Sequence, residues 1–196
     1  MLAPGPRTNL RPQRKGDILA KKSIDPSIVV MGVSGSGKSI IGRLLADRLG
    51  AEFLDADDLH TPENISRMAT GIALGDELRL PWLHSVGAAI REQIIEGERV
   101  VVACSALKQS YRDLLLSYSP ELYFVFLDGS REIIQSRIEA RNHPFMSTSL
   151  LDSQFESLEP LATNESGIPV DILQTPEFII DEVISALDES TQRSKN

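Results

Sequence analysis

Residues 32 to 39 read Gly32-Val33-Ser34-Gly35-Ser36-Gly37-Lys38-Ser39, a complete GxxxxGK[ST] phosphate-binding loop. Glycines in such a loop let the backbone turn tightly and aim successive N–H groups at phosphate oxygens, and the helix that follows adds its positive end. The motif assigns Lys38 to the β- and γ-phosphates and the Ser39 hydroxyl to Mg²⁺. Context supports it: the apolar run Ile28-Val29-Val30-Met31 precedes the loop as a buried strand would, and Ile40, Ile41, Leu44, Leu45 and Leu49 follow at helical spacing. The chain is read as binding a nucleoside triphosphate.

A second group of candidates lies at the ends of later strands. Glu52-Phe53-Leu54-Asp55 reads as a short strand running into Ala56-Asp57-Asp58-Leu59-His60. If that strand continues, Asp55 and Asp57 share a face. One carboxylate then serves the metal and the other accepts or orients a hydroxyl proton, while Asp58 is expected to cap the next helix. His60 is placed at the mouth of the same cleft. Cys104 ends the run Arg99-Val100-Val101-Val102-Ala103-Cys104 and reads as a small buried residue, with Ser105 just beyond it facing the phosphate loop and placed on the substrate side. Arg67, Arg79, Arg137 and Arg141 are the cations suited to phosphate or carboxylate, and Arg137 and Arg141, four apart, share a helix face that could clamp the nucleotide from a lid. Trp82 is expected to be a core anchor, with Pro81 near the first position of its helix.

These residues need a scaffold of alternating strands and helices. Further strands are expected at Leu122-Tyr123-Phe124-Val125-Phe126-Leu127 and Ile168-Pro169-Val170-Asp171-Ile172, and helices at about 63–70, 81–96, 108–117, 130–141, 148–158 and 176–188. Such alternation implies a parallel α/β sheet covered on both faces, with its chemistry at the carboxyl ends of the strands.

At 196 residues the chain is the size of one domain. Its net charge of −8 argues against a nucleic-acid or membrane-surface role, which needs a positive face. An apolar content of 41% without a run long enough to span a bilayer fits a soluble protein, and the single cysteine fits a reducing, cytoplasmic setting. Residues 1–26 hold Arg7, Arg11, Arg14, Lys15, Lys21 and Lys22 against Asp17 and Asp25, with Pro4, Pro6, Pro12 and Pro26 and little apolar periodicity. They are expected to be a disordered basic tail; a targeting peptide would show more serine and an amphipathic pattern. The folded domain is placed at 27–188, with a lid at about 142–160 and a disordered end at 189–196.

Taken together, the phosphate loop, Asp55-Ala56-Asp57-Asp58-Leu59-His60, Asn64-Ile65-Ser66-Arg67-Met68, Arg79-Leu80-Pro81-Trp82-Leu83, Ala103-Cys104-Ser105-Ala106-Leu107-Lys108 with Tyr111-Arg112-Asp113, and the string Leu150 to Glu159 with Ser153-Gln154-Phe155 resemble the gluconokinases. These are P-loop kinases that phosphorylate D-gluconate with ATP. The resemblance runs from residue 28 to about 187 and departs from the usual strings at Leu78, Leu116 and His143-Pro144. It implies the P-loop kinase fold of shikimate and nucleoside monophosphate kinases, a five-stranded parallel sheet ordered 2-3-1-4-5 with a lid. It also implies Asp57 acting on the acceptor hydroxyl, Asp55 near Mg²⁺, and His60, Arg67 and Arg79 lining the sugar-acid side. Arg137 and Arg141 carry over as lid residues on ATP, and a homodimer is a family-level expectation. Two rival readings are a kinase for another small hydroxy acid such as shikimate and a catalytically weak nucleotide-binding regulator.

Overall fold

The computed structural model describes residues 26–140 and 148–193. Along the chain lie β1 (Ile28–Met31), α1 (Lys38–Leu49), β2 (Glu52–Asp55), a 3₁₀ turn (Ala56–Leu59), α2 (Pro62–Ala69), α3 (Asp76–Ile95), β3 (Val100–Ala103), α4 (Gln109–Tyr118), β4 (Tyr123–Asp128), α5 (Arg131–Ala140), α6 (Thr148–Ser157), β5 (Gly167–Asp171) and α7 (Pro176–Arg193). All strand pairs are parallel, in the order β2-β3-β1-β4-β5, with Val29 opposite Val102 on one side and Phe124 on the other. This is the expected order.

The central strands are continuous apolar runs because both faces are covered. Alternation along β1 sends Ile28 and Val30 into a core with Ile41 and Leu45 of α1 and Ile179 and Val183 of α7, and sends Val29 and Met31 into a second core with Leu83, Val86 and Ile90 of α3 and Leu115 of α4. Leu83 is fully buried, so Leu83→Ala would cost about 2–5 kcal/mol through lost transfer energy and a cavity. Connections from the neighbouring strands β1 and β3 leave in opposite directions, which opens a crevice at their carboxyl ends.

Three local expectations are corrected. First, α3 begins at Asp76, so Pro81 sits inside the helix rather than at its start. Asp76 and Glu77 in the first turn complement the helix dipole, and the N–H groups of Leu78 and Arg79 close that turn onto the Gly75 carbonyl. An interior proline forfeits one helical bond. The turn around it is held from outside by Asn64 Nδ2 donating to the Leu78 carbonyl at 3.3 Å and Trp82 Nε1 donating to the Ala56 carbonyl at 2.7 Å.

Second, β2 stops at Asp55, whose side chain caps the 3₁₀ turn by accepting from Asp57 N at 3.2 Å. Strand alternation therefore does not relate Asp55 to Asp57. Third, Asp58 caps nothing at α2: Thr61 is the cap, accepting from Asn64 N at 3.2 Å, with Pro62 at the first helical position. At the other end of the chain α7 continues past 188 to Arg193. The basic tail up to residue 25 and the segment 141–147, with Arg141 and His143-Pro144, lie outside the described residues.

Candidate active site

The phosphate-binding loop joins β1 to α1 over the crevice. Gly35 has φ +83, and a Cβ there would come within 2.7 Å of Ile138 Cγ1, so α5 packs directly against a loop that only glycine can form at that point. Gly37, φ +106, leads into α1, whose first turn has no side-chain cap and no acidic residue. The N-terminal N–H groups of α1 are thus a ready anion site. Lys38 folds back so that Nζ donates to the Val33 carbonyl at 3.0 Å. Loss of water around its ammonium lowers its pKa, against the charges of Asp57, Cys104 and Asp55. Ser39 Oγ donates to Asp55 Oδ2 at 2.7 Å, bringing two hard oxygens together beside the loop.

A cleft of about 400 Å³ opens next to Lys38, lined by Ser34, Lys38, Asp57, His60, Arg79, Trp82, Ser105 and Gln154 on its polar side and by Ile65, Met68, Ala69, Leu74 and Leu150 on its apolar side. The 3₁₀ turn delivers Asp57 and His60 into it. The His60 ring stacks on the Trp82 ring, with centroids 4.2 Å apart and planes 15° from parallel. Trp82 is 4% exposed and tethered to Ala56, so it is both core anchor and floor of the cleft. Burial lowers the His60 pKa ahead of the opposing pull of Asp57, with Arg79 adding to the lowering, so the ring is neutral at pH 7. Its Nδ1 is buried and has no hydrogen-bond partner among the described residues. Arg79 is aimed by its Nε, which donates to the Leu74 carbonyl at 2.8 Å.

Ser105 is placed by the stretch after β3. Its carbonyl accepts from Gly32 N at 3.2 Å, and Cys104 N donates to the Val30 carbonyl at 3.1 Å, so this stretch is stitched to the root of the phosphate loop. Cys104 is fully buried and its thiol is pushed up to about 12, chiefly by desolvation, which removes it as a nucleophile. Ala106 has φ 41, the one positive φ at a non-glycine residue among the described residues. That conformation costs about 1–2 kcal/mol. The buried Arg112 guanidinium holds it, donating to the carbonyls of Ala106 at 3.1 Å and Leu107 at 3.2 Å.

Two expected residues are elsewhere. Arg67 is exposed on α2 and pairs with Glu63 at 3.1 Å, one helical turn away, and it is not among the residues lining the cleft. Arg137 donates through NH2 to the Ile172 carbonyl at 2.5 Å, beside the β5–α7 connection and not in the cleft. Within the span expected as a lid, 142–160, the described residues include α6, whose Leu150 and Leu151 are 5% and 2% exposed. Gln154 on α6 has no role in the sequence reading, yet its amide oxygen accepts from Ser34 N at 2.7 Å and its amide nitrogen donates to Ser34 Oγ at 3.3 Å. The available signal was a glutamine three and four residues after Leu151 and Leu150 and next to Phe155, on the apolar side of a helix. The Arg112–Glu165 pair was likewise unassigned; its signal was an arginine between Tyr111 and Leu115 on a buried helix face.

A phosphate loop at the switch point of a β2-β3-β1-β4-β5 parallel sheet, opening onto a cleft that holds a carboxylate and an arginine, defines a P-loop small-molecule kinase, and the shikimate kinase family model matches residues 34–188. The solved shikimate kinase of Aquifex aeolicus superposes with a TM-score of 0.58 at 19% identity, over 84% of this chain and 98% of that one, a likeness of fold alone. Within this class the chain belongs to the gluconokinase family. It is 46% identical over 147 residues to the thermosensitive gluconokinase of Escherichia coli K12, covering 74% of this chain and 79% of that protein. The crystal structure of a gluconokinase from Sinorhizobium meliloti 1021 matches with a TM-score of 0.80 at 42% identity, over 87% of this chain and 96% of that one. As a kinase of this family the chain uses ATP.

Proposed function

We propose that this chain transfers the γ-phosphoryl group of ATP to D-gluconate, giving 6-phospho-D-gluconate and ADP. The observation that carries the reading is one cleft in which Lys38 of the phosphate loop, Asp57 and the cation Arg79 face the same space. Phosphoryl transfer asks mainly for positioning and charge neutralisation. In this reading the glycine-rich backbone from Gly32 to Gly37 and the start of α1 hold the β- and γ-phosphates, and Lys38 neutralises the charge that grows on the transferring group. Asp57 orients the acceptor hydroxyl and takes its proton as the new P–O bond forms and the bond to ADP breaks. Arg79 pairs with the gluconate carboxylate, His60 Nδ1 and Ser105 bond the polyol, and Trp82 with the α2 wall excludes water.

The donor set suits Mg²⁺. Ser39 Oγ and Asp55 Oδ2 are hard oxygens 2.7 Å apart, and no group of three or more His, Cys, Asp or Glu able to hold a metal occurs among the described residues. Mg²⁺ commonly takes one or two protein oxygens and completes its shell with phosphates and water, so Ser39 and Asp55 would hold it. It would neutralise phosphate charge there. Arg67 remains a candidate for the sugar-acid side after exchange from Glu63, and Arg137 and Arg141 for the nucleotide. A homodimer belongs to the same reading and sedimentation velocity tests it; so does a cytoplasmic setting, supported by a sequence whose lone Cys104 has no disulfide partner. Among the described residues no helix is long and apolar enough to cross a membrane.

Coupled ADP release with Mg²⁺-ATP and a panel of gluconate, other sugar acids, glycerate and shikimate tests the assignment. Gluconate is expected to give the highest kcat/KM by at least tenfold. Preference for shikimate would make the chain a kinase of another hydroxy acid, and nucleotide binding without turnover on any acceptor would make it a regulator.

A further inference from the structure

The peptide group between Val33 and Ser34 is engaged at both ends. Its carbonyl accepts from Lys38 Nζ at 3.0 Å, and its N–H, on Ser34, donates to Gln154 Oε1 at 2.7 Å. Gln154 Nε2 closes the arrangement by donating to Ser34 Oγ at 3.3 Å. Gln154 is 8% exposed and lines the cleft, so these bonds form in a largely desolvated place, where a hydrogen bond on the N–H side of a peptide polarises its carbonyl.

We propose that Gln154 is a positioning residue for Lys38, acting through the Val33–Ser34 peptide to fix where the ammonium stands in the phosphate loop. The inference rests on the reading of Lys38 as the phosphate-neutralising residue. The amide suits the task because it is neutral. A glutamate there would place a negative charge beside the phosphates, and an apolar residue would leave the half-buried Ser34 N–H without this partner. Its anchorage is firm: Leu150 and Leu151 of the same helix are buried in the domain, and the Glu159 N–H just beyond the helix donates to the Leu107 carbonyl at 2.8 Å. Helix α6 thus reaches the loop by hydrogen bonds through Gln154, beside Leu151, which shares a core cluster with Val33 of the loop.

The test is a double-mutant cycle on nucleotide binding, which does not depend on the acceptor. Dissociation constants for Mg²⁺-ATP are measured by calorimetry for the parent, Gln154→Met, Lys38→Met and the double variant, with melting temperatures alongside. Gln154→Met, close in volume, is expected to weaken ATP about tenfold in the parent background and by less than twofold once Lys38 is gone, because its effect runs through the ammonium. Gln154→Asn, whose amide is too short to reach Ser34, should repeat the result and carries the cycle if the methionine variant does not fold. Losses that multiply across the two sites, or single-variant affinities within twofold of the parent, overturn the proposal. Gluconate-dependent ADP release by the parent is recorded separately, so its absence would sink the assigned reaction while the binding cycle still decides the role of Gln154.

Discussion

Arg112 and Glu165 meet in the interior through two parallel bonds, Nε to Oε1 at 2.5 Å and NH2 to Oε2 at 2.8 Å, with side chains 0% and 4% exposed. The remaining guanidinium nitrogen, NH1, donates to the carbonyls of Ala106, Leu107 and Glu159, so the charge is both paired and hydrogen-bonded. The pair staples the acceptor-side stretch after β3 to the chain that follows α6. Removing one partner leaves a buried charge unmatched, and Glu165→Gln is expected to lose about 3–5 kcal/mol in urea unfolding at pH 7. The hydrogen bonds from Arg112 hold the Glu165 carboxyl below its ordinary pKa near 4.5, so its contribution is complete above that value and is lost as pH falls through the lower folded value. The acid limb of the stability curve should therefore flatten in Glu165→Gln. A loss under about 1 kcal/mol at pH 7 would show that the pair contributes little.

Lys38→Ala is expected to abolish phosphoryl transfer with circular dichroism unchanged. The half-buried side chain faces the cleft and, among the described residues, bonds only the loop carbonyl of Val33, so its removal takes charge from the transition state and little from the core. Activity within about tenfold of the parent, a barrier change of about 1.4 kcal/mol, is too small for the role.

The parallel α/β sheet and the phosphate loop were legible because each has a strong local signal, continuous apolar strands separated by helical patterns and glycines at fixed spacing, whereas the strand order came from the family resemblance alone. Asp57 was placed in the cleft for a reason that fails, since alternation presumes a strand through Ala56 and the chain turns there under the Asp55 cap. Helix α3 was started too late because Pro81 reads as a first-turn residue, while the Gly75 carbonyl, Asn64 and Trp82, which support the earlier start, act across turns and between elements. Arg67 shows what a family string leaves out: it names the arginine but not the glutamate one turn away that pairs with it on the exposed face of α2. For Gln154 and Arg112 the sequence could at most flag a polar residue beside apolar ones; their partners Ser34 and Glu165 were unreadable, because they are distant in sequence and no periodicity reports such pairs.

Cys104 predicts the alkaline behaviour. Burial raises its thiol to about 12, the Ala106 backbone bond opposes, Asp57 adds to the rise, and Lys38 and Arg79 oppose it. A group whose folded pKa is raised stabilises fully below its unfolded value near 9 and loses that contribution as pH climbs toward the folded one. Between pH 9 and 10.5 the parent should lose stability more steeply than Cys104→Ala, by at most about 1.4 kcal/mol per pH unit, one proton's worth. Tyr111 and Tyr123, also raised by burial, remain in both proteins and cancel in the difference. Parallel curves would show that the native thiol ionises as freely as an unfolded one.

Asp57→Asn separates chemistry from binding most sharply, because it keeps the shape of the side chain while removing the charge proposed to accept the hydroxyl proton. Both aspartates are exposed, but Asp57 lines the cleft with Lys38 and Ser105, whereas Asp58 is not among the lining residues. With the phosphate loop untouched, kcat should fall by on the order of 10² or more and the dissociation constant for ATP should change little. Asp58→Asn is expected to stay within about threefold of the parent in kcat, as surface substitutions that touch no site do. Steady-state kinetics on both variants, with calorimetric ATP binding, decide it. If Asp58→Asn loses turnover and Asp57→Asn does not, the 3₁₀ turn presents the wrong carboxylate for this assignment and the base must be sought one residue later.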